Sequence, residues 1–134
     1  MADQDNVQVA RQAYAAFGRG DIASVLENCA EDIEWVTAES TVLPWAGTRR
    51  GKAAVEEYFR ILGQHVEFQR FEPYEFIAQR DKVVVLIHDA GVMRTSGRTY
   101  TSEDIHVSTY RDGKVVRFQA YGDTAAFVAA YQGT

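Results

Sequence analysis

With 134 residues, of which 46% are hydrophobic and 25% charged, the chain is long enough for one domain with a sizeable core. Its net charge of −5 argues against a nucleic-acid or anionic-membrane surface, since each needs a basic patch. The single cysteine, Cys29, excludes an internal disulfide, and no apolar run approaches the roughly 20 residues of a membrane span.

Met1 to Asn6 is polar and acidic, without the basic-then-apolar pattern of a signal peptide, which leads us to expect a cytoplasmic protein. Val7, Ala10, Tyr14 and Phe17 recur at helical spacing and predict a first helix. Asp5 with Gln8 resembles a capping box, and Gly18 and Gly20 end the helix. Asp21 is a good N-cap for a second helix with the stripe Ile22, Val25, Leu26 and Cys29, a setting for a buried structural thiol. Ile33, Trp35 and Thr37 alternate as in a short strand. Glu39 to Gly51 contains Pro44, Trp45 and Gly47 and reads as a loop, with Trp45 either a lid over a pocket or a plug in the core.

Lys52 to Gln64 predicts a third helix with Val55, Tyr58, Phe59 and Leu62 on one face, and Phe71 to Ala78 an edge strand. Three long strands follow: Lys82 to Thr95, Thr99 to Arg111, and Lys114 to Tyr121, joined by glycine turns. Asp123 and Thr124 begin a short last helix with Phe127 and Tyr131 turned inward. Helices gather first and antiparallel strands follow, which predicts an α+β fold, with residues 1–134 as a single domain.

Which face each strand presents depends on its turns. In Thr99 to Arg111 one row is Glu103, Ile105, Val107 and Thr109, and the other is Asp104, His106, Ser108 and Tyr110. Alternation alone would bury Ile105 and Val107. A two-residue loop at Asp112-Gly113 pairs Arg111 with Lys114 and sets Val107 opposite Phe118. A three-residue loop instead pairs Tyr110 with Lys114, sets His106 opposite Phe118, and puts Val116, Phe118 and Ala120 on the His106 face. A three-residue loop at Thr95-Ser96-Gly97 would likewise place His88 opposite Asp104 and His106 opposite Leu86. No metal-ligand spacing, Gly-x-Ser-x-Gly elbow or phosphate-binding loop occurs, so we expect no metal and no cofactor.

Several stretches together resemble the SnoaL-like polyketide cyclase and ketosteroid isomerase group of the nuclear-transport-factor-two-like superfamily. They are Tyr14-Ala15-Ala16-Phe17 leading to Gly20-Asp21, Ile33-Glu34-Trp35, and Trp45-Ala46-Gly47 with Arg50-Gly51. Arg111-Asp112-Gly113-Lys114-Val115 with Phe118, Tyr121, Asp123 and Thr124 completes the set. The resemblance implies a curved, mostly antiparallel sheet wrapped on three N-terminal helices as a cone with an internal cavity. It also implies a homodimer paired through the outer face of the sheet, and a small hydrophobic ligand or substrate inside the cone.

By the same resemblance His106 falls where ketosteroid isomerases carry an acidic wall residue, which favours three-residue loops at both turns. The implied proton-handling set is His106, Asp104 and His88, with Tyr14 as a hydrogen-bond donor. The family's base, an aspartate after the first strand, has no counterpart in Trp35-Val36-Thr37-Ala38; Glu39 is the nearest carboxylate. Substrate contacts are then expected from Trp35, Trp45, Phe17, Tyr58, Phe59, Phe118, Tyr121 and Glu39. Asp123 is either a helix cap or part of the Asp-Thr pair of cyclase-like relatives. The leading expectation is a cofactor-free isomerase, cyclase or related lyase or hydrolase. A non-catalytic ligand-binding or dimerisation module and a protein–protein adaptor are the alternatives.

Overall fold

The stripe Val7, Ala10, Tyr14 and Phe17 lies on α1 (Asp3–Gly18) in the computed structural model, which describes residues 3–133. The helix already runs through Asp5, so Asp5 and Gln8 sit inside it and form no capping box at its start. It ends where Gly20 takes φ +77°, which brings the Asp21 N–H to the Ala16 carbonyl at 2.8 Å. Asp21 then caps α2 (Ile22–Glu27) by accepting from the Ser24 N–H. Cys29 does not continue that helix; it opens β1 (Cys29–Val36) and is buried there.

β2 (Thr48–Arg50) is a three-residue strand in the stretch expected to be loop, paired antiparallel to β1. α3 (Lys52–His65) runs straight into β3 (Val66–Gln79), which starts at Val66 rather than at Phe71. β4 (Lys82–Met93), β5 (Thr99–Arg111) and β6 (Lys114–Tyr121) follow. α4 (Thr124–Gln132) closes the chain, its N-terminus capped by Asp123.

The strands form one six-stranded sheet in the order β2-β1-β6-β5-β4-β3. The β1–β6 pair is parallel and every other pair is antiparallel, so the sheet is mostly antiparallel, curved and unclosed, with β2 and β3 as edges. Irregularities at Phe68/Arg70 and Pro73/Glu75 in β3 interrupt its pairing with β4, and such bulges bend a strand. Two clusters fill the inside. One gathers Ile33, Trp35, Val55, Val83, Val85, Ile87 and Phe118; the other gathers Leu43, Trp45, Leu62, Met93 and Tyr100; Tyr58 packs against both. Burying one such Ile or Val side chain is worth roughly 1.5–3 kcal/mol.

Both expected turns differ, with opposite consequences. Between β4 and β5 the loop has four residues, Arg94 to Gly97, closed by Met93 N–H to the Arg98 carbonyl at 2.8 Å. That shifts the parity of the pairing: His88 lies opposite Glu103, Asp104 opposite Ile87, and His106 opposite Val85. His88 and Asp104 therefore stand on opposite faces. Between β5 and β6 the loop has two residues, Asp112 and Gly113, both at positive φ, as a tight hairpin turn requires. The extra residue sits instead in β6, where the register slips between Thr109/Tyr110. The slip restores the expected face, with Ser108 opposite Phe118 and His106 opposite Ala120. Val115, opposite Tyr110, takes the buried place expected of Val116.

Candidate functional site

The inner faces of β4, β5 and β6 and the helices above them enclose a cavity of about 160 Å³. Aromatic rings make most of its wall: Phe17, Trp35, Tyr58, Phe59, Phe71 and Phe118. Trp35 and Phe118 stack at 3.9 Å, as their facing positions on the parallel β1–β6 pair dictate. Trp45 lines the cavity and is also buried against Tyr131, so it is both wall and core. Tyr121 borders the cavity from the end of β6 and is 52% exposed.

α1 and β5 meet at the first polar point. The Tyr14 hydroxyl lies 2.6 Å from His106 Nδ1, across 92 residues of sequence. Tyr14 and His106 also stack at 5.8 Å, and Phe71 and Phe118 hold the imidazole at 6.1 and 4.8 Å. His106 is half-buried and lines the cavity. Burial drives its pKa down to about 3, so the ring is neutral at working pH. Burial holds the Tyr14 hydroxyl well above its usual range, so it is also neutral. With both groups neutral, the phenol is the stronger donor and Nδ1 the acceptor. The ring proton then sits on Nε2, available as a donor to a ligand.

The second polar point is one step along β5, about 7 Å away by strand rise. Asp104 is buried and accepts from the Ser102 hydroxyl at 2.6 Å. Ser102 in turn accepts from the Asp123 N–H at 2.9 Å, which ties the start of α4 to this carboxylate. Gly122 lies against the same group, where a Cβ would come within 2.7 Å of Asp104 Oδ1. Beside Asp104 stands Asp89 of β4, 7% exposed, which accepts from the Tyr100 hydroxyl at 2.9 Å. Gly91 opposite Tyr100 leaves room for that hydroxyl, since a Cβ there would meet it at 2.7 Å. The two carboxyl groups are diagonal neighbours on the same face of the β4–β5 pair, and each acts on the titration of the other. Burial raises both, Asp89 to about 9, and for Asp89 the neighbouring carboxylate adds to the rise.

Of the residues expected from the sequence, Tyr14, Phe17, Trp35, Trp45, Tyr58, Phe59, Asp104, His106, Phe118 and Tyr121 all reach the cavity. Two do not. His88 is on the outer face, with Nδ1 2.7 Å from Glu103 Oε2 and its ring stacked on Tyr74 at 4.1 Å. The four-residue loop puts it there, and an exposed pair of this kind contributes little to stability. Glu39 is exposed and lies outside the lining, which Thr37 and Ala38 supply. Asp89, Tyr100 and Ser102 went unnoticed in the sequence. The signal was the alternating row Val83, Val85, Ile87, Asp89, Gly91 and Met93, a buried row that carries a carboxylate in its middle. Cys29 lines the cavity as a neutral thiol, pushed up to about 11 by burial, which rules it out as a ready nucleophile. Asp123 caps α4 through its side chain. Among the described residues no helix is long and apolar enough to cross a membrane, and no three His, Cys, Asp or Glu side chains converge as a metal site.

Comparison with known proteins places the chain. The SnoaL-like domain matches residues 10–118. An NTF2-like protein of Burkholderia xenovorans LB400 is 37% identical, with 98% of each chain covered and a TM-score of 0.89. A second NTF2-like protein, of unknown function, from Burkholderia pseudomallei K96243 is 29% identical over 98% of each chain, TM-score 0.88. TerC, solved as a co-crystal with polyporic acid, is 32% identical, covering 96% of this chain and 98% of its own, TM-score 0.85. Nothing among curated proteins matches the chain.

Proposed function

We propose, from the premise that the chain belongs to the SnoaL-like domain family, that it is a small-molecule enzyme of the isomerase or cyclase type. It uses general acid–base catalysis on an uncharged hydrophobic substrate held in the cone. The observation that carries this reading is the 2.6 Å bond between Tyr14 and His106 inside an aromatic cavity. A neutral imidazole anchored on one nitrogen presents the other as an aimed donor, which is what a carbonyl oxygen gaining negative charge needs. Asp104, made more basic by burial, takes a proton from the carbon next to that carbonyl. The electron pair left behind moves to the oxygen, where His106 Nε2–H meets it, and Tyr14 holds the ring in the tautomer that can do so. His88 and Glu39 have no part in this step, since neither reaches the cavity.

Size narrows the substrate. A cavity of about 160 Å³ matches one ring rather than the 300–1000 Å³ typical of drug-sized ligands. The co-crystallisation of TerC with polyporic acid supports an organic ligand for a cone of this kind. Cyclohex-3-enone is therefore the first substrate to try, because its conversion to cyclohex-2-enone needs one proton removed beside a carbonyl and one returned. We expect conjugated enone to appear by ultraviolet absorbance, and the His106 ring resonances to shift when a cyclohexenone binds. An unmoved His106 ring at saturating ligand, with no conjugation, would refute the reading.

We further infer that residues 1–134 act as one domain, and that two copies pair through the outer face of the sheet. That face carries Ile77, Val84, Leu86, Ile105 and Val107, with Ile77 and Ile105 46% and 42% exposed. Ile105→Arg should turn a dimer into a monomer in sedimentation velocity, and a wild-type chain that sediments as a monomer at micromolar concentration removes the inference.

A further inference from the structure

Asp89 and Asp104 sit diagonally across the β4–β5 pair, Asp89 opposite Ser102 and Asp104 opposite Ile87, both buried and both lining the cavity. Among the described residues no Lys or Arg lines that cavity. The donors around the pair are hydroxyls, Tyr100 on Asp89 and Ser102 on Asp104. A hydroxyl solvates a carboxylate without cancelling its charge, so two desolvated carboxyl groups side by side on one face of the sheet cannot both ionise. Between them they hold one proton. Each carboxyl accepts one hydroxyl, but the Ser102 that serves Asp104 is itself fixed by the start of α4, so the shared proton is placed on Asp89.

Resting on the acid–base reading above, we infer that Asp89 is a further catalytic residue, which returns to the substrate the proton that completes the step Asp104 begins. Asp104 takes a proton from the carbon between carbonyl and alkene; that C–H bond breaks and its electron pair forms the dienolate. Asp89 then gives its own proton to the far alkene carbon, where the dienolate's electron pair makes the new C–H bond. The pair is left with its single proton on Asp104, and passing it back to the neighbouring Asp89 restores the starting state. No other reactant is consumed. Tyr100 is the positioning residue for Asp89, as Ser102 is for Asp104.

The test uses the full chain in excess over cyclohex-3-enone deuterated at C2, in protiated buffer. The new hydrogen at C4 of the product should be protium, and Asp89→Asn should lower kcat about 100-fold with KM little changed, with Asp89→Glu recovering part of it. Deuterium delivered to C4 by the wild-type protein means one carboxylate does both jobs and overturns the inference. So does an Asp89→Asn protein with wild-type kcat beside an inactive Asp104→Asn protein, an outcome that leaves the acid–base reading standing. Independently of turnover, Cγ-13C aspartate NMR at pH 7 should show one protonated and one ionised carboxyl at this pair. Two ionised carboxyls remove the shared proton and the inference with it. No turnover by any form removes both readings.

Discussion

His106→Phe should cut turnover of cyclohex-3-enone by about 100- to 1000-fold while the cone stays folded, because it removes the donor aimed at the developing oxyanion. The loss should fall on kcat, since an aromatic ring of similar size keeps the packing against Phe71 and Phe118. Tyr14→Phe should cost less, about 10-fold, because Nε2–H survives and only its aim and tautomer are loosened. The pH profile gives a second check. With the imidazole pKa driven down to about 3, activity should show no limb near pH 6.5, where an exposed histidine would titrate. A His106→Phe protein with wild-type kcat, or a wild-type limb at pH 6.5 that this variant abolishes, would remove His106 from its role as a neutral donor.

Asp89→Asn should produce a more stable protein above neutrality and a poorer catalyst. The folded-state pKa of Asp89 is raised from 3.8 to about 9. Between those values the native state binds a proton that the unfolded state has released, so the contribution present below pH 4 is lost as pH rises toward 9. Each unit is worth about 1.4 kcal/mol, so even half the displacement amounts to roughly 3 kcal/mol at pH 8. Asparagine keeps the Tyr100 bond and can donate to Asp104 without that loss. Urea denaturation at pH 4.5 and pH 8 should therefore show the variant gaining on wild type as pH rises. His106 acts at the other end. Its pKa is lowered, so the unfolded state gains protons first below pH 6.5 and stability falls as pH drops toward 3. An Asp89→Asn protein with the same advantage, or none, at both pH values would show that the pair carries no buried charge. A stability gain coupled to lost activity is the expected trade at a site built for chemistry.

Most of the architecture was legible, and the misses have specific causes. β5 and β6 begin and end where turn residues mark them, and Asp21 and Asp123 cap the helices they were expected to cap. β2 was hidden because three residues among glycine and proline carry no period. β3 was cut short because α3 enters it without a breaker and two bulges scramble its alternation. The wall of the site was legible only in part. Tyr14, Asp104 and His106 came from the resemblance together with strand parity, whereas a hydrophobic-inside rule alone would have buried Ile105. His106 reached the cavity through a bulge inside β6 rather than at the turn. His88 did not, because loop length between β4 and β5 rests on hydrogen bonds that no residue type announces. Asp89 was hidden because it follows His88 directly, and which of the two neighbours points inward depends on the same loop length.

The thread from Asp123 through Ser102 to Asp104 makes a buried carboxylate depend on the far end of the chain. Cutting the chain before Gly122 would remove the Asp123 backbone amide and leave the Ser102 hydroxyl without its donor. The last nine-residue helix thus reaches the proposed chemistry through one serine.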